Sequence, residues 1–171
     1  CIRDRVNNAG VYIGYGGPVR EITDDMWRTL WSINVDGVFY ACRAAARIMI
    51  DAGNGGRIIN IASTQAVSPG VGVTYDGSKA AVTQITKALA LEFGRRGLRV
   101  NAVCPGGTKT AFLKGFRIDD RIDLGLLGRT SLLEEMAEPE DMAHSICFLA
   151  SEEARFANGA ILSVDGGSVA G

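Results

Sequence analysis

"RIINIAS", residues 57–63, is a short β-branched run that follows a long helical stretch and ends on a hydroxyl. "LRVNAVCP", residues 98–105, repeats the arrangement after a second helical stretch. Apolar side chains at odd and even positions alike imply strands buried on both faces, as in a parallel sheet covered by helices. The first helical stretch, about residues 24–50, starts after Thr23 as N-cap with Asp24 and Asp25 in its first turn, and stops near "DAGNGG". Its apolar stripe carries Trp27, Leu30, Trp31, Val38, Cys42, Ala45 and Met49. The second, about residues 75–94, is apolar around much of its circumference, so it wants cover on more than one side, and it ends at "GRRG" with Arg95 and Arg96 solvated. A third begins at Pro139 with Glu140 and Asp141 in its first turn, and "NG" at 158–159 then turns the chain into "AILSV". The segment ending "RVNNAG" reads as the tail of one more strand. This alternation predicts a parallel sheet of about four strands, with the ligand crevice beyond their carboxyl ends.

The totals narrow what such a sheet can serve. The chain has 171 residues, 47% of them hydrophobic, which suits a single domain spanning 1–171. Its 18 basic and 19 acidic residues nearly cancel, so no positive field is available for nucleic acid or an anionic membrane, and a small neutral partner is expected. Cys1, Cys42, Cys104 and Cys147 are scattered without metal-ligand spacing and read as reduced core residues; no metal is expected. The longest uncharged run, 58–75, contains Asn60, Gln65 and Pro69, so it is no membrane span, and no signal peptide is visible. A cytoplasmic protein is expected, although the chain begins with Cys1 and not methionine.

The segments after the strands are small and polar: "NNAG" (7–10), Ser63 and "PGGTKT" (105–110). Tyr75 and Lys79 in "TYDGSKAAV" (74–82) stand four apart at a helix start, and therefore on one face near the strand ends. Lowering a tyrosine pKa from ~10 to ~7 requires about 4 kcal/mol of preference for the phenolate. An ammonium at ~4 Å in an effective dielectric of ~20 supplies about that much before desolvation, and a second cation beside it would secure the shift. Against this stands an ordinary helix start with a solvated lysine. Ser63 reads either as a donor to a substrate carbonyl oxygen or as a loop serine capping backbone groups. Asn34, between Trp31 and Val38 on the apolar stripe, either bonds a water or backbone group near the lysine or satisfies a helix irregularity beside Gly37. "GYGGPV" (14–19) breaks the GxGxxG pattern, and His144 beside Ser145 lacks a GxSxG elbow, so neither a dinucleotide fingerprint nor a hydrolase is read. Residues 108–134 are the least regular and read as a mobile flap; with 65–74 they would form a mostly apolar pocket for a small alcohol or ketone, sugar-like or steroid-like.

Taken in order, "NNAG", Asn34 in "INVDGVF", Ser63 in "IINIAS", "YDGSK" (75–79), "RVNAVCPGGTKT" (99–110) and "NGAILSVDGG" (158–167) resemble the short-chain dehydrogenase/reductase family. The resemblance covers nearly the whole chain. It implies an α/β, Rossmann-like, doubly wound parallel sheet and an oxidoreductase using NAD or NADP, with an alcohol or carbonyl compound as substrate. By the same resemblance, Tyr75 is the general acid/base, Ser63 orients and polarises the substrate oxygen, Lys79 lowers the tyrosine pKa and binds the nicotinamide ribose, and Asn34 holds a water in a proton relay. Asn8, Ala9 and Gly10 would lie along the cofactor near its adenosine side, with Pro105, Gly106, Thr108 and Thr110 at the nicotinamide end. A homodimer or homotetramer through helices 24–50 and 75–94 is also implied. The sequence departs from the family at its start: the first βαβαβ half, with its TGxxxGxG turn and cofactor-choosing residue, is not in these residues, and Arg3, Asp4 and Arg5 replace a buried apolar run. The competing expectation is a truncated, catalytically silent binding or oligomerisation module.

Overall fold

In the computed structural model, residues 3–12, 18–70, 72–112, 133 and 135–170 are described. The two apolar runs lie side by side at the centre of one sheet as β2 (Gly56–Ile61) and β3 (Leu98–Pro105), parallel and in register from Gly56 opposite Leu98 to Ile61 opposite Val103. β1 (Asp4–Asn7) pairs with β2 and β4 (Ile161–Val164) with β3, both parallel, which gives the order β1-β2-β3-β4. The expected four-stranded parallel sheet is therefore present.

Alternation along β2 sends neighbouring isoleucines to opposite faces. Ile58 and Val100 pack with Val38, Cys42, Met49 and Val82 on the side of α2 (Gly37–Ala52) and α3 (Val73–Phe93). Ile59 and Val103 pack with Met142, Leu149 and Ala154 on the side of α4 (Pro139–Ala150). Both faces of the central strands are thus buried, and each such side chain contributes roughly 1.5–3 kcal/mol. Left-handed glycines end the helical runs as expected: Gly53 at φ 67° after α2 and Gly97 at φ 81° after α3.

Three sequence expectations need correction. The first helical stretch is not one regular helix: α1 (Asp24–Trp31) passes into a π-helical segment, Ser32–Asp36, before α2. The wider turn breaks the 3.6-residue stripe, so Leu30 and Val38 stay buried while Trp27 is 41% exposed and stacks on Trp31 at 4.9 Å. α3 buries only one stripe, Tyr75, Ser78, Lys79, Val82, Thr86 and Ala90, and leaves Leu91 exposed, so its apolar circumference is covered on one side within this chain. Cys147 is exposed, whereas Cys42 and Cys104 are buried free thiols; Cys1 lies outside the described residues. The "GYGGPV" segment also lies largely outside them.

Polar pins hold the sheet to its helices. Asn7 Nδ2 donates to Asn60 Oδ1 at 2.8 Å, Asn60 Nδ2 donates to Thr86 Oγ1 at 2.9 Å, and Thr86 Oγ1 donates to the Val82 carbonyl. This buried chain ties β1, β2 and α3 together and compensates for the exposed Asp4, Arg5 and Val6 of β1. Arg57 at the start of β2 pairs with Glu152 and lies near Asp4. Arg99 donates to the carbonyls of Leu149, Ser151 and Ala154, closing the end of α4 onto β3. Replacing Asn60 by alanine leaves the buried Asn7 amide without its strand partner and should cost about 1–3 kcal/mol in urea unfolding.

Candidate active site

A cavity of about 680 Å³ opens beyond the carboxyl ends of the strands, where the sheet topology predicts a ligand crevice. Three of the four strands supply a lip. Asn8, Ala9 and Gly10 follow β1, Ser63 follows β2, and Pro105, Gly106, Thr108 and Thr110 end or follow β3; all line the cavity with Tyr75 and Lys79. Of the sequence-derived site residues, only Asn34 stands behind the wall.

Tyr75 and Lys79 come from the first turns of α3, which starts at Val73 and so aims both at the sheet edge. Tyr75 is 7% exposed and Lys79 only 4%. Lys79 Nζ donates to the carbonyl of Ile61, the last residue of β2, at 2.9 Å and lies 5.6 Å from the centroid of the Tyr75 ring. Burial pushes the Lys79 pKa down from 10.5 to about 8, so the ammonium persists at neutral pH. An ammonium held beside a phenol ring favours the ionised phenol, the direction an acid/base tyrosine needs.

The alternatives left open for Ser63 and Asn34 resolve into combinations. Ser63 lines the cavity and also caps the short 3-10 turn Thr64–Ala66, its Oγ accepting from the Gln65 amide at 3.2 Å. Asn34 sits within the π-helical segment and bonds backbone: Oδ1 accepts from Val11 N at 2.8 Å, and Nδ2 donates to Val11 O at 2.9 Å and to Ser78 Oγ at 3.2 Å. Ser78 Oγ in turn donates to the Tyr75 carbonyl. The wide turn therefore presents an amide that locks the strand-end loop to the helix bearing Tyr75. Gly10 sits where this lock is tightest: a Cβ there would lie 3.4 Å from both Asn34 Oδ1 and Lys79 Nζ. Gly106 has no room for a side chain at all, since a Cβ would come within 2.7 Å of Asp165 Cα.

Sequence reading missed an aromatic wall. Tyr12 meets Tyr75 edge-on at 4.6 Å between centroids, and Phe112 stands 5.6 Å from Tyr12 and 6.2 Å from Tyr75. It also missed that Met142 and Ile146 of α4 share the cavity lining. The available signal was their spacing of four beside a helix start, together with Tyr12 directly beyond "NNAG". Of the proposed flap, Thr108 bridges to Ala137 and Phe112 lines the cavity; residues 113–132 and 134 lie outside the described set.

A parallel α/β sheet with this tyrosine and lysine at its carboxyl edge is a Rossmann-like arrangement, and comparison with known proteins places it. A family model described as Enoyl-(Acyl carrier protein) reductase matches residues 5–169, and the chain belongs to the short-chain dehydrogenase/reductase family. It is 38% identical over 168 residues to 3beta-hydroxysteroid dehydrogenase 2 of Eggerthella lenta, covering 95% of this chain and 63% of that protein. The chain thus spans less than two thirds of that curated relative's length. Among solved structures, 4-hydroxyisoleucine dehydrogenase complexed with NADH superposes with a TM-score of 0.83 at 30% identity, over 98% of this chain and 69% of that one. Gluconate 5-dehydrogenase from Burkholderia cenocepacia J2315, in complex with NADP and tartrate, superposes with a TM-score of 0.87 at 32% identity, over 100% of this chain and 66% of that one. No helix among the described residues is long and apolar enough to cross a membrane.

The buried ammonium carries a stability cost. Because its folded pKa lies below the unfolded value, Lys79 destabilises the fold below about pH 8, and the penalty disappears as pH rises to 10.5. Lys79→Met should therefore raise stability in the absence of cofactor by roughly 1–3 kcal/mol at pH 7. Urea midpoints at pH 7 and pH 10 should show that advantage shrinking at the higher pH.

Proposed function

We propose that the chain is the catalytic part of an NAD(P)-dependent oxidoreductase that interconverts a secondary alcohol with a ketone or aldehyde by hydride transfer, Tyr75 serving as general acid/base. The carrying observation is that Tyr75, Lys79 and Ser63, from one helix and one strand end, line a single cavity at the carboxyl edge of the sheet. Family membership and relatives that hold NADH or NADP support the same reading.

The walls fit the nicotinamide end of such a cofactor. Gly10 and Gly106 offer bare backbone on two sides, Pro105, Thr108 and Thr110 form the far lip, and no acidic side chain lines the cavity among the described residues. Asn8, Ala9 and Gly10 would hold the adenosine side, and Lys79 would bind the ribose. When bound, the nicotinamide supplies the hydride donor or acceptor. Tyr75 accepts the hydroxyl proton as the carbinol carbon gives up its hydride, and returns it in the reverse direction. Ser63 donates a hydrogen bond to the same oxygen and polarises the carbonyl. Lys79 holds the phenolate through its charge, while Asn34 keeps the Val11 backbone in place and supports a water-borne proton path to Lys79. The aromatic wall of Tyr12, Tyr75 and Phe112 suits a ring-bearing, sugar-like or steroid-like alcohol.

The chain functions as one domain of a homodimer or homotetramer through the helices of 24–50 and 75–94, where Phe39, Tyr40, Ile48 and Leu91 are exposed. Those same faces favour the second reading, a catalytically silent oligomerisation module. Titration with NAD(H) and NADP(H) separates the two, since submillimolar binding by the 171-residue chain excludes the silent module. In the complete protein, Tyr75→Phe should cut turnover by at least ~10³-fold while cofactor affinity stays within about threefold. Turnover retained by Tyr75→Phe refutes its acid/base role.

A further inference from the structure

The path from Ser63 to Tyr75 decides how the two hydroxyls face one another. Its first part is held by its own backbone: Ala66 N donates to the Ser63 carbonyl, and Val67 N and Ser68 N both donate to the Thr64 carbonyl. Further along, the link is held by a side chain. Gly70 N donates to Asp76 Oδ2 at 2.8 Å, while Asp76 N donates to the Gly72 carbonyl at 2.9 Å. Asp76 is the residue directly after Tyr75, so the tether reaches back from the catalytic turn of α3 to the loop leading into it.

The carboxyl is held at a cost. Asp76 is half-buried, it joins no ion pair among the described residues, and its Oδ1 is buried without a hydrogen-bond partner. Burial raises its pKa to about 6, against the lowering effect of the Gly70 and Gly72 amides. An acid in the first turn of α3 complements the helix dipole, but that accounts for the charge and not for the aim of Oδ2 at Gly70. A group retained in an unfavourable setting and aimed at the backbone amides of the preceding loop, Gly70 above all, is better explained by what that loop positions. That loop continues into Thr64 and Gln65, both in the cavity wall, and into Ser63.

We infer that Asp76 is a positioning residue: through the Gly70 amide it anchors the Ser63–Tyr75 link, and so sets where Ser63, Thr64 and Gln65 stand against the substrate. The inference rests on the reading of Ser63 and Tyr75 given above. Three variants of the complete protein separate the anchor from a helix-dipole role. Asp76→Asn retains an acceptor oxygen at the same reach without the charge, Asp76→Glu retains the charge but moves the oxygens one methylene further out, and Asp76→Ala removes both.

The readouts are amide hydrogen exchange at Gly70 and steady-state kinetics with a secondary alcohol, at saturating cofactor. For Asp76→Ala and Asp76→Glu, Gly70 exchange should rise at least ~10-fold and the substrate KM about 10-fold, with kcat changed less than threefold and cofactor affinity unchanged. Asp76→Asn should stay within about threefold of wild type in both readouts. Rescue by Glu but not Asn would assign Asp76 to the helix dipole and overturn the inference. Unchanged Gly70 exchange in Asp76→Ala would also overturn it, as would faster exchange with an unchanged KM. A wild type that turns over no alcohol would instead overturn the functional reading, and Gly70 exchange would then decide the anchor alone.

Discussion

The Lys79 ammonium, buried at the end of β2 and donating to the Ile61 carbonyl, is the contact on which the site depends. A charge so enclosed needs a polar partner, and here that partner is the carbonyl at the end of β2. The bond joins the start of α3 to the sheet edge, beside the bonds of Thr86 to Asn60 and Ser78 to Asn34, and leaves the charge beside the tyrosine ring in the cavity wall. Desolvation weakens the lysine as a base while strengthening every interaction it makes, since the same low dielectric acts on both. Stability and chemistry therefore pull in opposite directions at this residue.

Around that contact, the molecule uses backbone approach where side chains would intrude. Gly10 faces Lys79 and Asn34, and Gly106 lies against Asp165, so the strand-end loops present bare peptide groups to the cavity. The π-helical turn at Ser32–Asp36 has a matching purpose: it turns Asn34 inward to bond Val11 and Ser78, joining the first lip of the cavity to the helix carrying Tyr75. An irregular turn costs helical stability, and its hydrogen bonds to two elements return it. Strands, helix start and wide turn are thereby held as one unit.

Much of this was legible in the residues. The buried strands followed from β-branched runs with no polar alternation, the helix stops from glycines in "DAGNGG" and "GRRG", and the Tyr75–Lys79 pair from a spacing of four at a helix start. Asn34 in the apolar stripe pointed to a helix irregularity beside Gly37, but the extent of the π turn was not legible, because periodicity sees an average over a window and one widened turn merely shifts its phase; Trp27 was consequently placed in the core. The aromatic wall was hidden for another reason. Tyr12 and Phe112 are a hundred residues apart and meet Tyr75 only when β1 and β3 end at the same edge. Asp76 drew no reading of its own from the sequence, because its partner, Gly70, is a backbone amide that carries no sequence signature.

By itself the sequence determined the class of fold, the order of its elements and the chemical character of the edge: hydroxyls, a phenol, an amine and bare glycines after successive strands. These depend on local pattern and spacing, which chain order preserves. Only the tertiary structure decided which groups meet, how deeply the lysine is buried, and that Asn34 and Asp76 reach the backbone amides of Val11 and Gly70. Burial and long-range hydrogen bonds are properties of packed surfaces, and they arise only once the sheet has closed against its helices.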